Sequence, residues 1–234
     1  MHTFFNLSPK QTKGLDKSIY ENSQKLYHDA KILADRNNSF STATSLLILS
    51  LEETIKAIII KLHSEGLKVY KIDGIKKFVS THIIRHQLAQ FIETGAGLLD
   101  VYNDWEESKK RPPKFKKQWL NNIFNGLGAM SKFSTSYKNI QKLQGFNDLK
   151  NQGLYSEYKD GLKLPKEIIT EKDFNEVKVI VDRINKFYRM LQIIYKPVSK
   201  TSGSYERNEE LKANLELFVN EALSEFSFKK FNTN

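Results

Sequence analysis

Six side chains in two neighbouring segments have the types and spacing that acid–base chemistry needs. The first segment is apolar nearly throughout, yet it holds two carboxylates and a lysine, and the next holds two histidines and an arginine. Histidine exchanges protons near neutral pH, and arginine or lysine stabilises charge that develops on a phosphate. Together they are the equipment of a metal-independent ribonuclease, which uses the RNA 2′-hydroxyl as nucleophile. The candidate catalytic residues are Glu52, Glu53, Lys56, His82, Arg85 and His86.

The same residues also fit a purely structural interpretation. Carboxylates in an apolar helix need compensating cations, because an unpaired buried charge is costly. Lys56 lies four residues after Glu52 and three after Glu53, so it can pair with either on one helical face. The alternative is therefore a buried ion-pair network that fixes helix register. Under both interpretations we predict that Glu52 or Glu53 lies within ion-pair reach of Lys56, Arg85 or His82.

A metal site is the third interpretation of the histidines. His82 and His86 share a helical face and could bind zinc together with a glutamate of a neighbouring helix. However, the chain has no HExxH motif, no glutamate three residues before a histidine, and no cysteine. Gly-rich phosphate loops and nucleophile elbows are also missing from the sequence. We therefore expect no metal and no cofactor.

The elements that must position these residues follow from the 3.6-residue apolar period. Ser8 as cap and Pro9 at the first helical position mark the first helix, and Asp160-Gly161 marks a small hairpin. The sequence predicts an all-α, four-helix bundle with accessory helices and a C-terminal amphipathic helix. We expect the second helix to be the most buried. A capping-box pattern from Thr170 to Asp173 opens the fifth helix. The predicted apolar stripes are Leu15, Ile19, Leu26, Ala30 and Leu33 on the first helix and Phe174, Val177, Ile180, Val181, Ile184, Phe187 and Leu191 on the fifth. The predicted helices cover about 8–37, 41–64, 74–108, 117–145, 170–195 and 206–228.

The chain of 234 residues is long enough for one bundle over residues 1–198, with a linker and the C-terminal helix over residues 199–234. Its net charge of +10 favours an anionic partner such as RNA. The basic excess peaks in the segment 109–117, which is either an RNA-contacting patch or a solvated loop. The predicted RNA-binding residues are Lys109, Lys110, Arg111, Lys114, Lys116 and Lys117.

Composition also bears on location. The N-terminus has no signal-peptide pattern, and charged residues interrupt the longest apolar segment, so we expect no membrane partner. The absence of cysteine fits a reducing compartment. These features predict a cytoplasmic protein.

Two segments resemble a known family. LILSLEETIKA, residues 47–57, resembles the signature of AbiV-type abortive-infection proteins, and the step from His82 to Arg85 is similar to that family's His-x-x-Lys step. LKNQGLYSEYKDG, from residue 149, and the TEKDF that follows resemble a later family segment. The resemblance covers about residues 15–195.

This resemblance implies a HEPN-like four-helix bundle that forms a homodimer. It also implies prokaryotic antiviral defence, in which a toxin-like effector arrests the infected cell through RNA cleavage or a block of translation. The usual HEPN ribonuclease motif, an arginine followed after four to six residues by histidine, does not occur in this chain. The residues on the comparable helix are His82, Arg85 and His86. The alternative function is a non-catalytic binding module that recognises a phage-encoded or translation-related protein.

Overall fold

The structure, a computed structural model, describes residues 6–69, 89, 142–158, 160–199, 203, 205–217 and 219. This part of the chain is mostly helical and contains one short hairpin, which confirms the all-α class. The predicted helices over 74–108 and 117–145 lie almost entirely outside the described residues. The helices are α1 (Pro9–Thr12), α2 (Leu15–Asn37), α3 (Phe40–Ser64), α4 (Phe146–Gln152), α5 (Pro165–Ile168), α6 (Glu171–Ile194) and α7 (Tyr205–Leu217), and the strands are β1 (Glu157–Tyr158) and β2 (Leu162–Lys163).

The central helix is α3, which packs against α2 and α6. Of its 25 residues 17 are buried, more than in any other helix whose burial is described, so the predicted position of this helix is confirmed. Its end before Gly66 is also confirmed. Gly66 has a φ of 89°, and the Leu67 N–H reaches back to the Leu62 carbonyl at 3.1 Å, as in a Schellman motif.

The first predicted helix is broken in two. Ser8 caps α1 and Pro9 follows it, as predicted, but Gly14 takes a φ of 88° and the chain turns before α2 begins. The predicted apolar stripe of α2 is confirmed at Ala30, which is fully buried, and Ile19 and Leu33 pack partly buried against the core, but Leu15 is 37% exposed. The other buried positions of α2 are Asp16, Ser23 and Ala34, which the predicted stripe does not include. Small side chains at these positions allow α2 to approach α3 closely.

The connector after residue 145 contains more structure than the sequence predicts. The hairpin at Asp160-Gly161 is confirmed, with Tyr158 opposite Leu162 and positive φ values at the two turn residues. The short helix α4, by contrast, was not predicted. It packs against α3 and proves central to the candidate site.

The second cover of α3 is α6. A capping box begins it, with the Thr170 N–H donating to the Asp173 carboxylate at 2.9 Å, as the sequence predicts. The predicted apolar stripe is buried throughout. Its residues are Phe174, Val177, Ile180, Val181, Ile184, Phe187 and Leu191.

The C-terminal helix α7 packs against α6 and buries Leu211 and Leu215. The structure describes it as far as Leu217, whereas the sequence predicts a helix to about residue 228. Within the described ranges, no helix is long and apolar enough to cross a membrane.

Candidate functional site

The central helix is buried on most sides and keeps one partly exposed stripe. Between Ser41 and Ile60 the partly exposed residues follow one another at intervals of three or four, so they share one face of α3. This α3 stripe consists of Thr42, Leu46, Leu49, Glu53 and Lys56. One half of it is apolar or weakly polar and the other half is charged.

Glu53 and Lys56 form an ion pair within the stripe, through Oε1 and Nζ. Their side chains are 21% and 19% exposed, so both remain accessible from outside the bundle. The prediction that Glu52 or Glu53 pairs with Lys56 is thereby confirmed for Glu53. This accessible pair is the part of the candidate site that can meet a ligand.

Glu52 faces away from the stripe and is almost completely buried. Its Oε1 accepts a hydrogen bond from Nζ of Lys150 in α4 at 3.0 Å, and the two side chains are 1% and 6% exposed. The alternative pairing of Glu52 with Lys56 is therefore wrong. Lys150 was missing from the predicted site, although a buried carboxylate requires a cation and the segment LKNQGLY carries part of the family resemblance.

A close approach of α4 to α3 allows Lys150 to reach Glu52. A Cβ on Gly153, just after α4, would lie 2.6 Å from the Ser41 carbonyl oxygen and closer still to Ser45 Oγ. Ser45 Oγ in turn donates to the carbonyl of Lys150 at 2.8 Å. Because Gly153 has no side chain and the side chain of Ser45 is small, α4 packs directly on α3, the helix that contains the family signature.

On the side opposite α4, α3 is bound to α2 and α6 through hydroxyl and amide groups. Thr54 Oγ1 donates to Asn185 Oδ1 of α6 at 2.8 Å and lies 2.6 Å from Ser23 Oγ of α2. Ser23 Oγ also donates to the Ser50 carbonyl at 2.9 Å. These contacts fix the rotation of α3, so that Glu53 and Lys56 stay on the accessible side.

A second buried carboxylate lies where α2 meets α6. Asp16 Oδ2 accepts hydrogen bonds from the Tyr188 hydroxyl at 2.9 Å and from Gln192 Nε2 at 2.7 Å. Burial raises the pKa of Tyr188 far above its ordinary value, and the hydrogen bond to Asp16 raises it further. Tyr188 therefore stays protonated and acts as a hydrogen-bond donor at any physiological pH.

The remaining predicted site residues lie outside the described residues. They are His82, Arg85, His86, Lys109, Lys110, Arg111, Lys114, Lys116 and Lys117. Ala89, three residues beyond His86, is described; it is helical and fully buried. In the described part of the chain, no group of three or more histidine, aspartate or glutamate side chains could hold a metal ion.

Comparison with known proteins gives one family. The HEPN AbiV family model, described as AbiV, matches residues 11–186, from α1 to most of α6. Comparisons with curated proteins and with solved structures gave no match. The matched range includes both halves of the buried Glu52–Lys150 pair and the accessible Glu53–Lys56 pair. Because the match covers well over half of the chain, the protein belongs to the AbiV family of HEPN-type abortive-infection proteins.

Proposed function

We propose that this protein is an abortive-infection effector that arrests the infected cell by cleaving RNA, with loss of translation as the consequence. The observation that carries the proposal is the accessible Glu53–Lys56 pair on the signature helix of an AbiV-family chain. An exposed stripe on an otherwise buried helix is where a substrate can reach charged groups.

The described geometry supports a division of roles among the three signature charges. Glu52 is tied to Lys150 inside the bundle, so we assign it a positioning role, in which it anchors α4 to α3. Lys56 is accessible and carries the charge that stabilises a phosphate in the transition state. Glu53 holds Lys56 in place.

We infer the position of the other half of the proposed site, which is His82, Arg85 and His86, from helical spacing. An α-helix rises 1.5 Å per residue, so the predicted helix over 74–108, returning antiparallel along α3 with Gly74 level with Ser64, would bring His82 level with Lys56 and Arg85 level with Glu53. The fully buried, helical Ala89 supports this arrangement.

The proposed chemistry needs no added group. One of His82 and His86 takes the proton of the RNA 2′-hydroxyl, and the oxygen attacks the adjacent phosphorus. The bond from phosphorus to the 5′-oxygen breaks, and the other histidine protonates that oxygen. Lys56 and Arg85 stabilise the charge on the phosphate during the transfer. The products are a 2′,3′-cyclic phosphate and a 5′-hydroxyl, and the basic segment 109–117 helps to hold the RNA.

The test is inducible expression in a phage-sensitive bacterial host. Wild type should arrest growth after infection, reduce plaque numbers and generate RNA fragments with 5′-hydroxyl ends. His82→Ala/His86→Ala should remove all three effects while its melting temperature stays at the wild-type value. His28→Ala, an exposed histidine of α2, is the matched control and should behave as wild type. A stable double variant that protects fully would contradict the catalytic proposal.

The proposed effector is a homodimer. The resemblance to HEPN domains is its basis. Light scattering on the purified chain should give about twice the 27.2 kDa of one copy. A monomeric mass at every concentration would remove the dimer from the proposal.

The exposed hairpin favours a second candidate, a non-catalytic module that binds a phage-encoded or translation-related protein. Tyr155, Tyr158 and Leu162 are 64%, 83% and 62% exposed, which is unusual for large apolar side chains clustered on one short hairpin. Under this candidate, Tyr158→Ser/Leu162→Ser removes protection and His82→Ala/His86→Ala does not. Under the ribonuclease proposal the result is reversed.

A further inference from the structure

Two helices that cover α3 are joined to each other by polar side chains along their whole contact. Tyr188 and Gln192 bind Asp16 at one end, Gln24 Nε2 donates to Asn185 Oδ1 at 3.3 Å in the middle, and the Tyr27 hydroxyl donates to Asp182 at 2.6 Å further along. The rings of Tyr20 and Tyr188 lie 4.1 Å apart. We define this α2–α6 groove by Asp16, Tyr20, Gln24, Tyr27, Asp182, Asn185, Tyr188 and Gln192.

The rim of the groove is positively charged. Lys17 follows Asp16, and Lys186 and Arg189 flank Tyr188; all three side chains are exposed. Glu21 is the exposed carboxylate nearby on α2. The carboxylates in the floor are already bound, because Asp16 accepts two hydrogen bonds and Asp182 pairs with Lys178. From Arg183 to Lys196 the chain has four basic residues and no acidic one.

The floor offers aromatic and hydrogen-bonding groups. Tyr20 and Tyr27 are half-buried, so part of each ring faces the groove. The Tyr20 hydroxyl is buried beside the Arg189 guanidinium. Arg189 lies close enough to lower the pKa of Tyr20, although burial raises that pKa by more. Arg189 has an exposed side chain, so its guanidinium is the group at this point that an anionic oxygen can reach.

We propose that the α2–α6 groove binds single-stranded RNA, with Lys17, Lys186 and Arg189 on its phosphates. A cationic rim tracks a phosphate backbone, and half-buried tyrosines and amides suit unpaired bases better than the uniform surface of a duplex. An acidic protein would use the rim but not the tyrosines. The choice of RNA rests on the proposed function.

The groove is separate from the α3 stripe. The α3 residue that bonds Asn185 in the groove is Thr54, whereas Glu53 and Lys56 belong to the α3 stripe. RNA in the groove would therefore be held by the protein without contacting the proposed cleavage residues. Loss of groove binding and loss of cleavage are then separate defects.

Fluorescence anisotropy with the full-length protein and a labelled single-stranded RNA of mixed sequence tests the groove. Lys17→Gln/Arg189→Gln is compared with Lys163→Gln/Lys166→Gln, which removes the same charge from exposed lysines at the hairpin and α5. The groove variant should bind about tenfold more weakly. For this variant, the slope of log affinity against log salt concentration should be shallower by about 1.4, because two phosphate contacts are lost. The control should bind within about twofold of wild type.

Several results would overturn the groove proposal. One is that the groove variant and the control variant bind RNA equally weakly, and another is that wild type does not bind RNA. A third is that wild type binds a duplex of the same sequence as tightly as the single strand, and a fourth is that poly-glutamate competes as strongly as unlabelled RNA. If the double variant does not fold, Lys17→Gln alone gives the same comparison against Lys163→Gln, because the side chain of Lys17 is exposed.

The test also separates this proposal from the proposed function. His82→Ala/His86→Ala should keep wild-type affinity for the RNA while losing cleavage. If wild type binds through the groove but produces no RNA ends in infected cells, the cleavage proposal fails and the groove proposal stands. If RNA ends appear but the groove variant and the control variant bind RNA equally, the groove proposal fails and the cleavage proposal stands.

Discussion

Two adjacent carboxylates on the signature helix have different surroundings, and the difference determines what each can do. Glu52 is enclosed with Lys150, whereas Glu53 and its partner Lys56 remain in contact with solvent. Exposed pairs contribute about 0–1 kcal/mol to stability, but removing one member of a buried pair leaves a charge without compensation and costs about 3–5 kcal/mol. Adjacent positions of one motif thus carry a structural and an accessible charge.

The first prediction compares the two lysines. Lys150→Ala should lower the free energy of unfolding by about 3–5 kcal/mol, because it removes one member of the buried Glu52–Lys150 pair. Lys56→Ala, which breaks the partly exposed pair, should cost less than about 1 kcal/mol. Urea denaturation of both variants measures the difference.

The combined change Glu52→Leu/Lys150→Met completes this comparison. Because both charges leave together, stability should return to within about 1 kcal/mol of wild type or above it. If Lys150→Ala proves as mild as Lys56→Ala, the buried pair does not hold α4 in place and the positioning role of Glu52 is lost.

The second prediction concerns alkaline pH. The raised pKa of Tyr188 means that the folded state keeps a proton that the unfolded state releases above about pH 10. Stability is therefore fully present below that pH and falls as pH rises, by up to about 1.4 kcal/mol per pH unit for this group. Tyr188→Phe should flatten the fall between about pH 10 and 11 in pH-dependent urea titrations.

Tyr155→Phe is the control for this measurement, because the Tyr155 side chain is largely exposed. It should leave the pH profile of wild type unchanged. Identical slopes for wild type and Tyr188→Phe would show that the Asp16–Tyr188 contact does not govern alkaline unfolding.

At the scale of helices and strands, the sequence predicted best where one apolar face is long and periodic. The helices α3 and α6 follow from such faces, and the Asp160-Gly161 hairpin follows from local turn chemistry. The break at Gly14 was missed because the cap at Ser8 and the stripe that starts at Leu15 were assigned to one helix. The buried face of α2 was predicted only in part, because small and polar residues such as Ser23 and Ala34 contribute to it beside the apolar stripe.

The site divides in the same way. The Glu53–Lys56 pair is local, so a three-residue spacing predicts it. The Glu52–Lys150 pair joins residues 98 positions apart, and no spacing rule reaches across that distance. The helix that carries Lys150 is only seven residues long, too short for its periodicity to identify it.

The third prediction tests the seat of α4 on α3. Gly153→Ala should destabilise the protein by about 1–3 kcal/mol, because the new Cβ would overlap Ser41 and Ser45 and force α4 outward. Backbone strain is not the cause, since Gly153 has a φ of −76°. Thermal unfolding by circular dichroism reports the change.

Gly145→Ala at the other end of α4 is the matched control. Its Cβ would have its nearest neighbour at 3.6 Å, an ordinary contact, and its φ of −83° suits any residue. It should be neutral or slightly stabilising. Equal effects of the two substitutions would mean that α4 is not tightly seated on α3.

At the scale of the whole molecule, the C-terminal helix α7 is attached to the bundle at one aromatic residue. The ring of Tyr195 lies 5.5 Å from the ammonium of Lys61 in α3 and 5.9 Å from that of Lys212 in α7. Such cation–π contacts contribute about 0.5–1 kcal/mol each at partly exposed sites. Together with the buried leucines of α7, they link the end of the chain to α3 and α6.

The fourth prediction follows from this attachment. A chain that ends at residue 198 should keep its helical circular dichroism spectrum, because α3 retains its covers α2 and α6. It should melt lower, by about 2–4 °C for each kcal/mol of lost contact. A truncated chain without cooperative melting would show that residues 199–234 belong to the bundle, contrary to the predicted division.

The order of the helices along the chain also affects how the protein folds while it is being synthesised. The central helix leaves the ribosome early, since it ends at Ser64, but its second cover begins only at Glu171. At about 5–20 residues per second, the interval between them is on the order of 5–20 s. During that time the nascent chain presents the apolar face that α6 will later bury, a surface that chaperones bind. The proposed effector would thus complete this core only after α6 has been translated.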